Sequence, residues 1–136
     1  MSNKDTVLAM YASFDKGDIP AIIEQLDDTV AWEPWTDNFA QKADVPYLRS
    51  QTGKSGVADF FVAVDELGVK NINILSVMEG GNQIAVEVEI ETSKFNDEEI
   101  HLWTFNEEGK VTRFRHYLDT AKQIAANERA KSLSAA

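Results

Sequence analysis

The sequence predicts an α+β fold: helical patterns come first, strand patterns follow as a meander, and the length suits one core. Three segments before residue 69 carry apolar residues at helical spacing, and four after it alternate in the manner of strands. At 136 residues with 43% apolar side chains, a single domain spanning 1–136 buries about two thirds of its unfolded surface.

Taken in order, residues 5 to 16 place Val7, Leu8, Met10, Tyr11 and Phe14 at helical spacing. Asn3 or Asp5 is the expected N-cap and Gly17 the C-terminal stop. Asp18 caps a shorter second helix with Pro20 in its first turn and Ile22, Ile23 and Leu26 on its apolar side, ending by Asp27 and Asp28. Thr29 to Glu33 is expected as a strand that Pro34 stops. From Trp35 to Gln51 no period holds, and aromatics, Asp and Pro46 suit a long loop over a pocket mouth. Ser55 or Gly56 opens a third helix through Val57, Phe60, Phe61 and Val64 that ends near Gly68.

The strands are expected at Val69 to Glu79, Gln83 to Lys94, Ile100 to Phe105 and Val111 to Leu118, with turns at Gly80-Gly81-Asn82 and Asn96-Asp97. In the second of them Ile84, Val86, Val88 and Ile90 alternate with Ala85, Glu87, Glu89 and Glu91, so one face is apolar and the other acidic. Arg113 and Arg115 are the expected counter-charges to that acidic face. Residues 120–136 read as a C-terminal helix or a frayed tail, with few large apolar residues to anchor it.

The last hairpin carries the chemistry. Alternation puts His101, Trp103 and Phe105 on one face of its first strand and Thr112, Phe114, His116 and Leu118 on one face of its second. Both histidines of the chain then go inward with the apolar residues, where an imidazole needs a polar partner or a job. His101 and His116 are therefore expected catalytic residues, and Tyr11, Phe14, Trp35, Phe60, Trp103, Phe105, Phe114 and Leu118 the expected pocket lining. Aromatics at such spacings more often serve a core.

Several function classes are disfavoured. Asp and Glu outnumber Lys and Arg by 23 to 13, which opposes nucleic acid and anionic membrane as partners. There is no Cys, hence no disulfide, thiolate nucleophile or Cys-ligated zinc, in keeping with a cytoplasmic protein. No basic leader followed by an apolar run precedes the first helix. No glycine-rich phosphate loop, nucleophile triad or His-Glu-x-x-His motif is present, so neither a cofactor nor a metal is expected.

Gly17-Asp18 between two helices, Trp32-Glu33-Pro34 at a strand end, Gly56 to Phe61 on the third helix and the hairpin turn Asn106-Glu107-Glu108-Gly109-Lys110-Val111 together resemble the NTF2-like superfamily. Within it, the chain is most similar to the SnoaL-like and ketosteroid-isomerase-like branch over about residues 6 to 120. The resemblance implies a conical barrel, in which a strongly curved, mostly antiparallel sheet wraps around three helices and an apolar cavity opens at one end. Glu33 falls where ketosteroid isomerases place a catalytic Asp before a proline, and His101 where they hold a protonated Asp that donates to the oxyanion. His116 falls near the acid/base Asp of polyketide cyclases, and Met10 or Tyr11 is nearest the isomerases' helix tyrosine. The resemblance thus adds Glu33, as general base, to His101 and His116 as the implied catalytic set. Those changes of residue type argue against steroid isomerase or polyketide cyclase activity as such.

The function this implies is an isomerase, cyclase or hydratase/dehydratase without a redox cofactor, acting by proton transfer on an apolar carbonyl or cyclic compound. The alternatives are a non-catalytic binder of an apolar metabolite, or an interaction domain. A homodimer through the outer sheet face, carrying Ile100, Leu102, Val111 and Tyr117, is compatible with each.

Overall fold

The computed structural model describes the backbone of residues 1–135 and the side chains of residues 1–132. The first helix, α1 (Asn3–Asp15), is capped by Ser2, one residue before the expected Asn3 and three before the expected Asp5. Ser2 accepts from the Asp5 N–H while the Asp5 carboxylate accepts from the Ser2 N–H, a reciprocal capping box. Gly17, at φ +73°, turns the chain in the left-handed region, and Asp18 then caps α2 (Ile19–Glu24) through the Ala21 N–H.

Strand β1 (Leu26–Trp32) begins earlier than Thr29, because Leu26 pairs with Val111. The long loop expected from Trp35 to Gln51 is not without structure. It contains a four-residue helix, α3 (Phe39–Lys42), a single 3-10 turn at Pro46–Leu48, and β2 (Gln51–Thr52). Helix α4 (Gly53–Leu67) ends at Gly68, whose φ of +76° and a Ser93 Oγ that would lie 2.9 Å from an added Cβ both require glycine. The meander follows as β3 (Val69–Gly80), β4 (Gln83–Thr92), β5 (Asn96–Phe105) and β6 (Val111–Tyr117), and α5 (Thr120–Ala135) closes the chain.

The six strands form one curved, unclosed sheet in the order β2-β1-β6-β5-β4-β3, antiparallel except where β1 runs parallel to β6. Its inner face packs on α1, α2 and α4 through Val7, Met10, Ile22, Val57, Phe60 and Val64. Trp32, Phe60, Trp103 and Phe114 form an aromatic cluster there, with Trp32 stacked on Phe114 at 4.2 Å between centroids.

Three expectations change. The turn expected at Asn96-Asp97 is Ser93-Lys94-Phe95, so β5 starts four residues before Ile100. Val111, expected outside, is fully buried: Thr104 pairs with Arg113 but Phe105 with Val111, and the extra residue Thr112 switches the side on which Val111 emerges. Arg113 and Arg115 do not meet Glu87, Glu89 and Glu91, because β5 lies between β4 and β6. Ser76 and Asn73 bind Glu87 and Glu89 instead. Ile100, Leu102 and Tyr117 do face outward, with Ile100 and Tyr117 exposed and Leu102 half-buried.

Candidate active site

Between α1, α4 and the sheet lies an apolar cavity offering about 80 Å³ to the centre of a water-sized sphere. A round space of that size accepts a body about 8 Å across, the scale of a small cyclic compound. Tyr11, Phe14, Phe60, Trp103, Phe114, Leu118, His101 and His116 line it, as do Trp32, Phe61 and Ile90.

Two of the expected residues stand elsewhere. Trp35 is 37% exposed and lies against Tyr117 beside a separate small cleft, because the chain turns away after Pro34. Phe105 is buried in the core and does not line the cavity. Its partner across the strands is Val111, at the bulge beside the hairpin turn.

His101 and His116 pair directly across β5 and β6, their rings 4.8 Å apart and nearly perpendicular. Each is backed by its own carboxylate. Glu33 sits at φ +54°, a left-handed conformation uncommon outside glycine. This break in strand alternation buries Glu33 immediately after the inward Trp32. Glu33 Oε1 accepts from the His116 backbone N–H at 2.8 Å and from His116 Nδ1. Glu33 is therefore behind His116 and does not line the main cavity, a different place from that of a base facing substrate. His116 Nε2 makes no hydrogen bond among the described residues.

The second carboxylate is Glu99, which lies one residue outside the strand expected from Ile100 to Phe105. Alternation places Glu99 on the face of His101, and His101 Nε2 donates to Glu99 Oε1 at 3.1 Å. His101 Nδ1 then accepts from the Tyr11 hydroxyl at 2.6 Å, while Tyr11 in turn accepts from Trp103 Nε1 at 3.2 Å. A Trp103–Tyr11–His101–Glu99 chain thus runs along one side of the cavity.

The two imidazoles are driven apart in basicity. Burial pulls His101 below the usual histidine range, and the hydrogen bond to Glu99 only partly opposes it. Burial acts on His116 too, but Glu33, by charge and hydrogen bond, with help from Glu99, raises it above that range. Glu99 is buried, which favours its neutral form, yet the His101 hydrogen bond and the charges of His116 and His101 hold it below the usual carboxylate range. Burial raises the Tyr11 phenol strongly, so it stays protonated. The cavity thus sets a more basic His116 beside a less basic His101 and a more acidic Glu99.

Helix α5 covers the same end of the molecule. Gln123, fully buried, donates to Asp97 Oδ2 at 3.0 Å and accepts from the Tyr47 hydroxyl. The C-terminal segment is therefore pinned by a buried amide, which a scan for large apolar residues does not detect.

A family model described as the SnoaL-like domain matches residues 7–114. No curated protein matches the chain. Among solved structures, it is similar to an NTF2-like protein of unknown function from Burkholderia pseudomallei at 22% identity and TM-score 0.74, over 93% of this chain and 98% of that one. It is also similar to TerC, crystallised with polyporic acid, at 22% identity and TM-score 0.68, over 88% and 92%. A third similar structure is SalBIII, an epoxide hydrolase/cyclase-like enzyme of pyran ring formation in salinomycin, at 17% identity and TM-score 0.71, over 88% and 92%. No helix among the described residues is long and apolar enough to cross a membrane.

Proposed function

Because the chain belongs to the SnoaL-like domain family, we propose that it is a small-molecule enzyme that moves protons on an apolar cyclic compound bearing a carbonyl or ring oxygen. The observation that carries this is the pair of facing histidines with opposed basicity, each fixed by its own carboxylate, at the wall of one apolar cavity. An acid and a base held apart in this way are what proton transfer near neutrality needs.

His116, charged and with Nε2 unengaged, is the general acid: it donates to the substrate oxygen as negative charge develops there. Glu33 touches no substrate and acts as a positioning residue that keeps His116 protonated and aimed. On the base side, Tyr11 Oη takes the substrate proton as its own proton passes to His101 Nδ1, and Glu99 stabilises the imidazolium formed. The surrounding aromatic rings exclude water and strengthen both interactions. The polyporic acid of TerC and the ring-forming chemistry named for SalBIII lend support to a cyclic, oxygen-bearing substrate.

The test is proton exchange. A panel of small cyclic ketones is incubated with protein in D2O and followed by NMR. Deuterium incorporation beside the carbonyl above the buffer rate, lost in His116→Gln and slowed about 100-fold in Tyr11→Phe, is expected. Compounds that bind in the cavity without exchange or turnover would instead make the protein a binder of apolar metabolites.

A further inference from the structure

We infer that Glu99, His101 and His116 form a binding site for one divalent transition-metal ion, with Zn2+ or Co2+ as the chemistry that fits. One ligand atom from each of the three lies within 4.8 Å of the others, and all three side chains are buried at the cavity wall. Two imidazoles and one carboxylate are a donor set suited to zinc, cobalt or iron(II), and the apolar cavity leaves the remaining positions to water or a ligand oxygen.

The surroundings match what such ligands require. A metal-binding imidazole is ordinarily held at its other nitrogen by a carboxylate or another hydrogen-bonding group. Here Glu33 holds His116 at Nδ1 and Tyr11 holds His101 at Nδ1, so both Nε2 atoms are left for the same point beside Glu99 Oε1. His101 Nε2 and Glu99 Oε1 are already 3.1 Å apart, close to the edge of a tetrahedral site with metal bonds of about 2.1 Å. The widest separation, at most 4.8 Å, must close to an edge of about 3.4 Å, a shift of roughly 1.4 Å within reach of side-chain rotations. Charge also balances: Glu33 and Glu99 face a single imidazolium, whereas a dication that replaces the His116 proton offsets both carboxylates. On binding, the His101 proton moves from Nε2 to Nδ1, where the Tyr11 oxygen accepts it, and the Nε2 proton of His116 is released, so metal occupancy and proton transfer exclude each other.

The site does not rest on the acid–base reading, since binding is measured without substrate. Chelator-treated full-length protein is titrated with Co2+ while visible d–d absorption is followed, and Zn2+ is then added to displace it. One Co2+ per chain is expected, with affinity at least tenfold weaker in Glu99→Gln and His116→Gln. A loss of about 10- to 100-fold is expected in Glu33→Gln, which removes only a support for a ligand. The surface variant Asp44→Asn should bind as the wild type. Independently of whether the variants fold, Zn2+ should shift the ring resonances of both histidines in the wild type, the only two in the chain. Absence of saturable uptake at millimolar Co2+, undiminished uptake in folded Glu99→Gln, or imidazole resonances unmoved by Zn2+ would each overturn the site.

Discussion

Replacing Glu33 by Gln removes a negative charge while keeping a carbonyl oxygen to accept from the His116 backbone N–H. The side chains of Glu33 and His116 are only 2% and 9% exposed, so little solvent screening reduces their interaction. An opposite charge at hydrogen-bond distance moves an ionisable group by about 1–3 pKa units, or roughly 1.4–4 kcal/mol. With Glu33 neutralised, only Glu99 opposes the effect of burial on His116, and the imidazole should titrate lower than in the wild type. A raised histidine contributes stability that is fully present below its unfolded pKa and is lost as pH rises through its folded pKa. The variant should therefore lose more stability at about pH 6 than at pH 9, by roughly 1–4 kcal/mol, with each kcal/mol worth roughly 3–5 °C in Tm. Histidine NMR titration with parallel thermal melts at the two pH values reads both effects. An unchanged His116 titration, or an equal fall in Tm at both pH values, would refute the Glu33–His116 coupling.

Turnover should follow a bell-shaped pH profile, its acid limb set by His101 below the usual histidine range and its alkaline limb by His116 above it; Glu33→Gln should pull the alkaline limb down, as kcat against pH would record. Tyr11→Phe leaves His101 Nδ1 and Trp103 Nε1 unpaired in a buried site, and urea denaturation should show a loss of about 1–3 kcal/mol. Gln123→Ala strips Asp97 and Tyr47 of a shared partner and should cost about 1–3 kcal/mol, with faster hydrogen exchange along α5 than in wild type. Gly68→Ala meets both a positive φ and the Ser93 hydroxyl, and denaturation should show a loss of about 1–2 kcal/mol or more.

The fold class was legible because it rests on periods that local chain geometry dictates. Ile84, Val86, Val88 and Ile90 could alternate as they do only in a half-buried strand, and Gly17 and Gly68 marked helix ends by a conformation that other residues resist. The same period of two placed both histidines on the face of Trp103 and Phe114. It also held the signal for Glu99, since Asp97, Glu99 and His101 share one face, but a buried strand opening on acidic residues reads as a turn unless their partners are known.

What the sequence determined by itself was thus the order of elements, the apolar face of each and the two inward imidazoles, because these follow from backbone geometry and burial over short range. The tertiary structure alone decided which carboxylate meets which histidine. Glu33 lies 83 residues from His116, and Tyr11 lies 90 residues from His101. It decided, too, that Val111 turns inward, that β5 separates the arginines of β6 from the acidic residues of β4, and that Glu33 stands behind His116. Those outcomes depend on a bulge, a strand order and one left-handed residue, each fixed by packing across the sheet.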